Sequence, residues 1–459
     1  LAGGEPGDDE AAYALAGRAR AAALTALLER NRLRPPPQLS GDPLVDSLKE
    51  RLNLIYNRMI CSAGLAAPRS ARRVEGLLAE ARGVEEQITG RLRRSDERAV
   101  APRGAAAGAE KPSELGRGLE PGATLVEYHA VEGRLVAFVR AGDRLEVVKG
   151  LPSLEAVQDA VLRMRFHMER PVHSSAAGGS SARGAPMAAG DRGIQASLRR
   201  LHEMVFEPLE EALGAGPIDI VPSGALHGVP FHALHDGRQF LLDRHELSIL
   251  PYREFLSWRP PRRRDGGTLV AFGLGAAEIP AVRRELGAIG KAFSAMELRI
   301  DSDATTAEFR RLAAGASLLH VASHAIFRRD NPMYSLLRLH DGWIAAWELA
   351  RMAIPARIAI LSACETGRVR TDAGDEILGL ARGLLAAGVP TLILSLWRVD
   401  DAAASLLMGA LYRGLASGLP ARSALHLAMR EVRRSHPHPC HWAPFTLLGQ
   451  PLARVEPRR

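Results

Sequence analysis

Four short apolar runs punctuate the second half of the chain: "TLVAFGLG" (268–275), "SLLHVAS" (317–323), "RIAILSA" (357–363) and "TLILSL" (391–396). Runs of this length, apolar at nearly every position, are strands buried on both faces. Helical stretches are predicted between and after them, at 281–293, 305–313, 346–352, 375–387, 401–416 and 420–434. A further strand is read at "MELRI" and a small extended segment at "SLLRLHDG". Alternation of this kind constrains the fold to α/β, with a mostly parallel sheet and helices on both faces.

The first hundred residues follow a different grammar. Residues 10–31 read as a helix, and Pro35, Pro36 and Pro37 break it. Two more helices follow, one with Val45, Leu48, Leu52, Ile55 and Met59 and one with Val74, Leu77, Ala81, Val84 and Ile88 at helical spacing. Each has a single narrow apolar seam, so the two should pair as an antiparallel hairpin. Residues 1–98 are therefore read as a helical N-terminal segment, the end of a repeat array or an arm for a regulatory partner. Residues 99–122, rich in Ala, Gly and Pro, read as a linker. From 123 the chain enters the α/β domain, which runs to 459. It opens with three strands turning at Glu132-Gly133 and Gly142-Asp143, then a helix near 153–168. The low-complexity stretch 173–190 is expected to be a mobile loop, and a helix near 191–213 leads into the strand "IDIV".

Composition removes several function classes. No apolar run is long enough to span a bilayer. Three cysteines in 459 residues do not make a disulfide framework, which fits a reducing, cytoplasmic setting. The net charge of +8 comes from a chain in which all but four of the 60 basic residues are Arg. They are spread along its length with no aromatic-interleaved stripe, so a nucleic-acid partner is not expected. The chain begins at Leu1 rather than Met and is read as a fragment with sequence preceding it.

In an open α/β sheet, reactive groups gather at the carboxyl ends of the strands. "SLLHVAS" runs into His324 and "RIAILSA" into Cys364. If those strands are neighbours, an imidazole and a thiol stand side by side, the minimum for thiol nucleophilic catalysis. The competing reading is a small core cysteine and a satisfied core histidine; His320, four residues before His324, suits the latter role.

From about residue 120 to 450 the chain resembles the CHAT domain, a caspase-like module often found after tetratricopeptide repeats in bacteria. The resemblance rests on "IVPSGALHGVPFHALHDG", "LLHVASHAIFRRDNPMYSLLRL", "LSACETG", "GDEILGLARGLLAAGVPTLILSLWRVDD" and "HPCHWAPFTLLG", in that order. It implies a cysteine endopeptidase with His324 and Cys364 as catalytic residues and His320 as structural. It also implies an oxyanion hole formed by the N–H groups of Cys364 and of the residue after the histidine. That residue is usually Gly in the family and is Ala325 here. The resemblance implies a protein substrate, with a dedicated target such as a pore-forming gasdermin among those relatives act on, in bacterial defence or cell death. The alternative is a catalytically weak scaffold that binds a protein.

Other constellations yield less. "GLG" at 273–275 lacks the third dinucleotide glycine, Glu278 standing there, and no P-loop exists. Neither cofactor nor metal is expected; the cluster His436, His438, Cys440 and His441 has ligand types but no second ligand pair at a standard distance. Trp397, Asp400 and Asp401 follow the strand "TLILSL" and are the substrate-pocket candidates. Strand alternation would turn Trp397 toward substrate, with Asp401 left to cap the next helix, and would favour an uncharged residue before the cut.

Overall fold

A computed structural model describes residues 42–63, 68–99, 118–176, 191–258, 268–275, 280–293, 296–328, 330–365, 378–397 and 399–455, together with 10, 12, 13, 15 and 16. The strands are β1 (Thr124–Val131), β2 (Arg134–Ala141), β3 (Arg144–Val148), β4 (Ile218–Val221), β5 (Leu247–Ile249), β6 (Thr268–Gly273), β7 (Met296–Ile300), β8 (Ala316–Ile326), β9 (Leu336–Arg338), β10 (Trp343–Ala345), β11 (Ile358–Glu365), β12 (Thr391–Ser395) and β13 (Phe445–Gly449). The helices are α1 (Pro43–Ala63), α2 (Pro68–Ala99), α3 (Leu154–Ala176), α4 (Asp191–Val205), α5 (Leu241–Arg244), α6 (Pro280–Ala292), α7 (Thr306–Ala313), α8 (Ala346–Leu349), α9 (Leu378–Ala386), α10 (Asp401–Ala416), α11 (Ala421–Ser435) and α12 (Pro439–Trp442). No described helix is long and apolar enough to cross a membrane.

All thirteen strands join one sheet in the order β10-β9-β8-β11-β12-β13-β5-β4-β1-β2-β3, with β6 and β7 branching from β8. The first half of β8 pairs with β6, from Ala316 to Ala322, and its tip, Ala325 and Ile326, pairs with β9. Parallel pairing runs through β7, β6, β8, β11 and β12. A second parallel block comprises β13, β5, β4 and β1. The seam between the blocks, β12 against β13, is antiparallel. The sheet is thus mixed, but its two interior blocks are parallel.

Strand alternation sets the two core layers. On β8 and β11, Leu318, Ala322, Ile358 and Ile360 pack into the layer that holds α3, α4, α6, α10 and α11. Leu319, Val321, Ala359 and Leu361 pack into the opposite layer with Phe309 of α7, Leu349 of α8 and Leu384 of α9. The strands read from sequence as continuous apolar runs are indeed covered on both faces.

The predicted hairpin of α1 and α2 forms, antiparallel, with Asp42 bonded to Arg91 at one end and Arg51 to Glu80 further along. Its seam does more than close on itself. Val45, Leu48, Leu52, Ile55, Met59, Ala81, Val84 and Ile88 share one apolar cluster with Ile326, Tyr334, Leu336, Trp343, Ala345 and Trp347 of the α/β domain. Most of the expected linker, 100–117, lies outside the described residues, as do 177–190 of the expected loop. Residues 173–176 of that loop belong to α3.

Two further expectations are corrected. β8 does not stop at Ser323, nor β11 at Ala363; they continue through His324 and Cys364 to Ile326 and Glu365. The backbone ladder therefore encloses both residues. The strands β5 and β13 were not anticipated; they make the join between the two blocks.

Candidate active site

The parallel register of β8 and β11 aligns Ile360 with His320, Ser362 with Ala322, and Cys364 with His324. The two residues singled out from sequence are thus direct cross-strand partners at the carboxyl edge of the first block. Partners in a parallel ladder sit about 5 Å apart at their backbones. The strands hold that pairing because six consecutive residue pairs precede it without a register shift. His324 is half-buried, whereas Ala325 beyond it is fully buried.

His320 is a core residue. It is fully buried, with Nε2 3.3 Å from Glu285 Oε1 and its ring edge-on to Tyr412. Ser362 of β11 donates to the other Glu285 oxygen at 3.3 Å. Glu285, from α6, therefore reaches both strands one layer below the pair. Burial, with the Glu285 charge adding, pushes the Tyr412 hydroxyl pKa well up, so it stays neutral there.

Ala325 is registered with Glu365 on one side and Leu337 on the other. Among the described residues only Glu132 and Asp301 have positive φ without being Gly. Ala325 keeps an ordinary strand conformation, so the change from Gly to Ala introduces no backbone strain.

The pocket candidates do not gather as expected. Trp397 is a core residue, 4% exposed, and its indole N–H donates to the Cys440 carbonyl at 3.2 Å. Its carbonyl accepts from Ser395 Oγ at 2.7 Å. β12 has ended at Ser395, so strand alternation no longer governs where Trp397 turns. It is not an open pocket wall, and the preference for an uncharged residue before the cut loses its basis. Asp400, not Asp401, caps the next helix: its Oδ1 accepts from the N–H groups of Ala402 and Ala403 at 3.0 and 3.2 Å. The side chains of Arg398 and Asp401 lie outside the described residues.

In the His-Pro cluster, His438 Nδ1 accepts from the Cys440 N–H and so caps α12, while Cys440 is fully buried. Burial lowers the His441 pKa to about 4. Among the described residues no group of three His, Cys, Asp or Glu is arranged to hold a metal.

Sequence reasoning missed what surrounds the histidine. The segment after His324 carries Arg328, only 3% exposed, which is bonded to Glu85 and Asp330. Helix α9 is pressed onto the same segment. A Cβ on Gly379 would stand 2.1 Å from the Pro332 carbonyl oxygen, and one on Gly383 2.5 Å from that of Ala346. The glycines, one helical turn apart in "LGLARGLLA", were the available signal for this close approach.

The CHAT domain family model matches residues 195–450. Tetratricopeptide repeat protein 28 of Mus musculus is 25% identical over 329 residues, and the Homo sapiens protein is 24% identical over the same length. The match takes in 57% of this chain but only 13% of either relative. Among solved structures, the Saccharomyces cerevisiae separase–securin complex at 3.0 Å aligns with a TM-score of 0.54 at 12% identity. It covers 94% of this chain and 37% of that one. A second such complex, at 2.6 Å, aligns with a TM-score of 0.51. At this identity the likeness is one of fold, and the fold is caspase-like.

Proposed function

The chain belongs to the CHAT domain family, and from that premise we propose that it is a caspase-like cysteine endopeptidase acting on a protein partner. The observation that carries this reading is the parallel register pairing Cys364 with His324 at one sheet edge. In the proposed reaction the Cys364 thiol gives its proton to His324 and the sulfur attacks the scissile carbonyl, forming a C–S bond as the C=O π bond opens to an oxyanion. The N–H groups of Cys364 and Ala325 stabilise the oxyanion. His324 delivers a proton to the leaving amine as the C–N bond breaks. Water, deprotonated by His324, then attacks the thioester; as the C–S bond breaks, the acid product leaves and the proton returns from His324 to the Cys364 sulfur.

A thiol nucleophile functions only while reduced, which fits a cytoplasmic setting. The hairpin α1–α2 is the proposed route for a regulatory partner, and a dedicated substrate such as a gasdermin-like protein remains part of this proposal. The rival reading is a scaffold without turnover, prompted by Ala325, which stands where the family usually has Gly and keeps an ordinary strand backbone. The test is incubation with peptide libraries and sequencing of the products by mass spectrometry. Cuts made by the native chain and absent with Cys364→Ala support the reading; cuts that persist in the variant, or none with either, contradict it.

A further inference from the structure

We propose that Glu85, on helix α2, is a positioning residue for the dyad: through Arg328 it fixes the segment that follows His324, which makes the helical hairpin part of the peptidase unit. The inference rests on the proposed roles of Cys364 and His324.

Arg328 lies four residues beyond His324, just past the tip of β8. Its Nη1 donates to Glu85 Oε1 at 2.6 Å and its Nη2 to Glu85 Oε2 at 3.3 Å. On its other side Nε donates to Asp330 Oδ1 at 2.8 Å and Nη2 to Asp330 Oδ2 at 2.9 Å. Glu85 is itself 2% exposed and also accepts from Tyr56 of α1 at 2.7 Å. It reaches two more points of the same segment. Asn331 Nδ2 donates to Glu85 Oε2 at 3.0 Å, and the Tyr334 hydroxyl donates to the Glu85 carbonyl at 2.9 Å. One residue of α2 thus holds positions 328, 331 and 334.

The anchor lies two residues past the end of the strand that carries His324. His324 and Ile326 are on β8, Ile326 pairs with Leu336 of β9, and both pack against the hairpin seam. A shift of the 328–334 segment is therefore felt at the strand end that carries the imidazole. The chemistry of the anchor fits this role better than it fits stabilisation. Apolar side chains of similar volume hold two elements together at least as well as a buried ion pair does. What the pair adds is direction, because two bidentate contacts fix the guanidinium in one plane and one place. The carboxylates also keep Arg328 charged: burial opposes its charge, but Asp330, Tyr56 and Glu85 raise its pKa. Losing Glu85 leaves that buried charge with Asp330 alone and drives the segment to move toward water.

The test reads the dyad without needing the substrate. The full chain is alkylated with iodoacetamide from about pH 5 to 9, and modification of Cys364 is followed by peptide mass spectrometry. The native chain should alkylate well below the ordinary thiol range, and His324→Ala should move the profile up toward it. Glu85→Gln keeps the side-chain shape and removes the charge. It should slow alkylation at about neutral pH by about tenfold to a hundredfold and move the profile toward that of His324→Ala. Arg82→Ala removes only the half-exposed contact of Arg82 with Asp330, at 2.9 Å. It should leave the melting temperature unchanged and slow alkylation about twofold to fivefold, so it decides the matter if Glu85→Gln does not fold. A native profile in Glu85→Gln, or in Arg82→Ala where the former does not fold, overturns this inference alone. A native chain that reacts like His324→Ala overturns the dyad as well, and the inference with it.

Discussion

The two parallel blocks of the sheet use their polar residues in opposite ways. Because β12 and β13 run antiparallel, the carboxyl edges of the blocks lie at opposite ends of the sheet. At the edge of the first block, β8 and β11 present a half-buried imidazole registered with a cysteine. At the edge of the second, Val221 and Leu250 close over with Leu125 and Leu256 in a small apolar cluster. The polar residues of the second block are bound in ion pairs: at the edge Glu127 of β1, registered with Val221, pairs with Arg253 at 3.2 Å. Ser248 of β5 donates to Asp219 of β4, and Arg422 of α11 donates to the same oxygen at 3.2 Å. Arg422 also pairs with Glu120 and Glu246. Burial raises the Asp219 pKa and the Arg422 charge pulls it back. The first block thus ends in a histidine registered with a cysteine, whereas the second ends in an apolar cluster beside buried ion pairs.

The largest effects are expected on the block that carries His324. His324→Ala is expected to cost about two to four orders of magnitude in turnover with little change in melting temperature, the scale of a lost general acid–base. His320→Ala should do the reverse, since it empties a buried site against Glu285 and Tyr412. Turnover and melting temperature measured on both variants check this, and an exchange of the two effects would reverse the assigned roles.

On the second block, Arg422→Met leaves Asp219 buried and without its counter-charge. The expected loss is about 3–5 kcal/mol in chemical denaturation, with Cys364 reactivity unchanged in the folded fraction. A parallel fall in reactivity would mean that the blocks are not independent.

The same block contains His232, whose pKa burial lowers to about 4 and whose Nε2 lies 3.0 Å from the Ala443 carbonyl oxygen. The folded value is below the unfolded one of about 6.5. Between these two values the unfolded chain binds more protons, so stability is full above about pH 6.5 and falls as pH drops toward 4. Melting curves across that window should show the decline, and His232→Gln should flatten part of it.

The smallest effect expected is at the cap. Asp400→Ala removes the acceptor for the Ala402 and Ala403 N–H groups and should cost about 0.5–2 kcal/mol. Cleavage specificity should not change, because the carboxylate is occupied at the helix terminus; a changed product sequence would return Asp400 to the substrate pocket.

Elements with strong local pattern were legible in the sequence. The apolar runs of β6, β8, β11 and β12, the hairpin turns at Glu132-Gly133 and Gly142, and the seams of α1 and α2 all lie where periodicity and turn chemistry put them. So does the pairing of His324 with Cys364, because parallel neighbours in an α/β unit share one carboxyl edge. What escaped depends on contacts between distant positions. β5 has three residues, too short to declare itself without its partners. Trp397 lies beyond the end of its strand, where alternation stops carrying information. The Arg328–Glu85 pair joins residues 243 apart, and nothing in "FRRDN" distinguishes a buried Arg from a solvated one.

Cys364 is proposed as a nucleophile made reactive by His324. Covalent labelling with a peptidyl acyloxymethyl ketone, followed by peptide mapping, tests it most directly. Such a probe needs a thiolate beside an oxyanion site and leaves a stable thioether. Labelling should be stoichiometric at Cys364 in the native chain, absent at the buried Cys440, and lost in His324→Ala. Labelling spread over the cysteines, or labelling of Cys364 that survives His324→Ala undiminished, would contradict it.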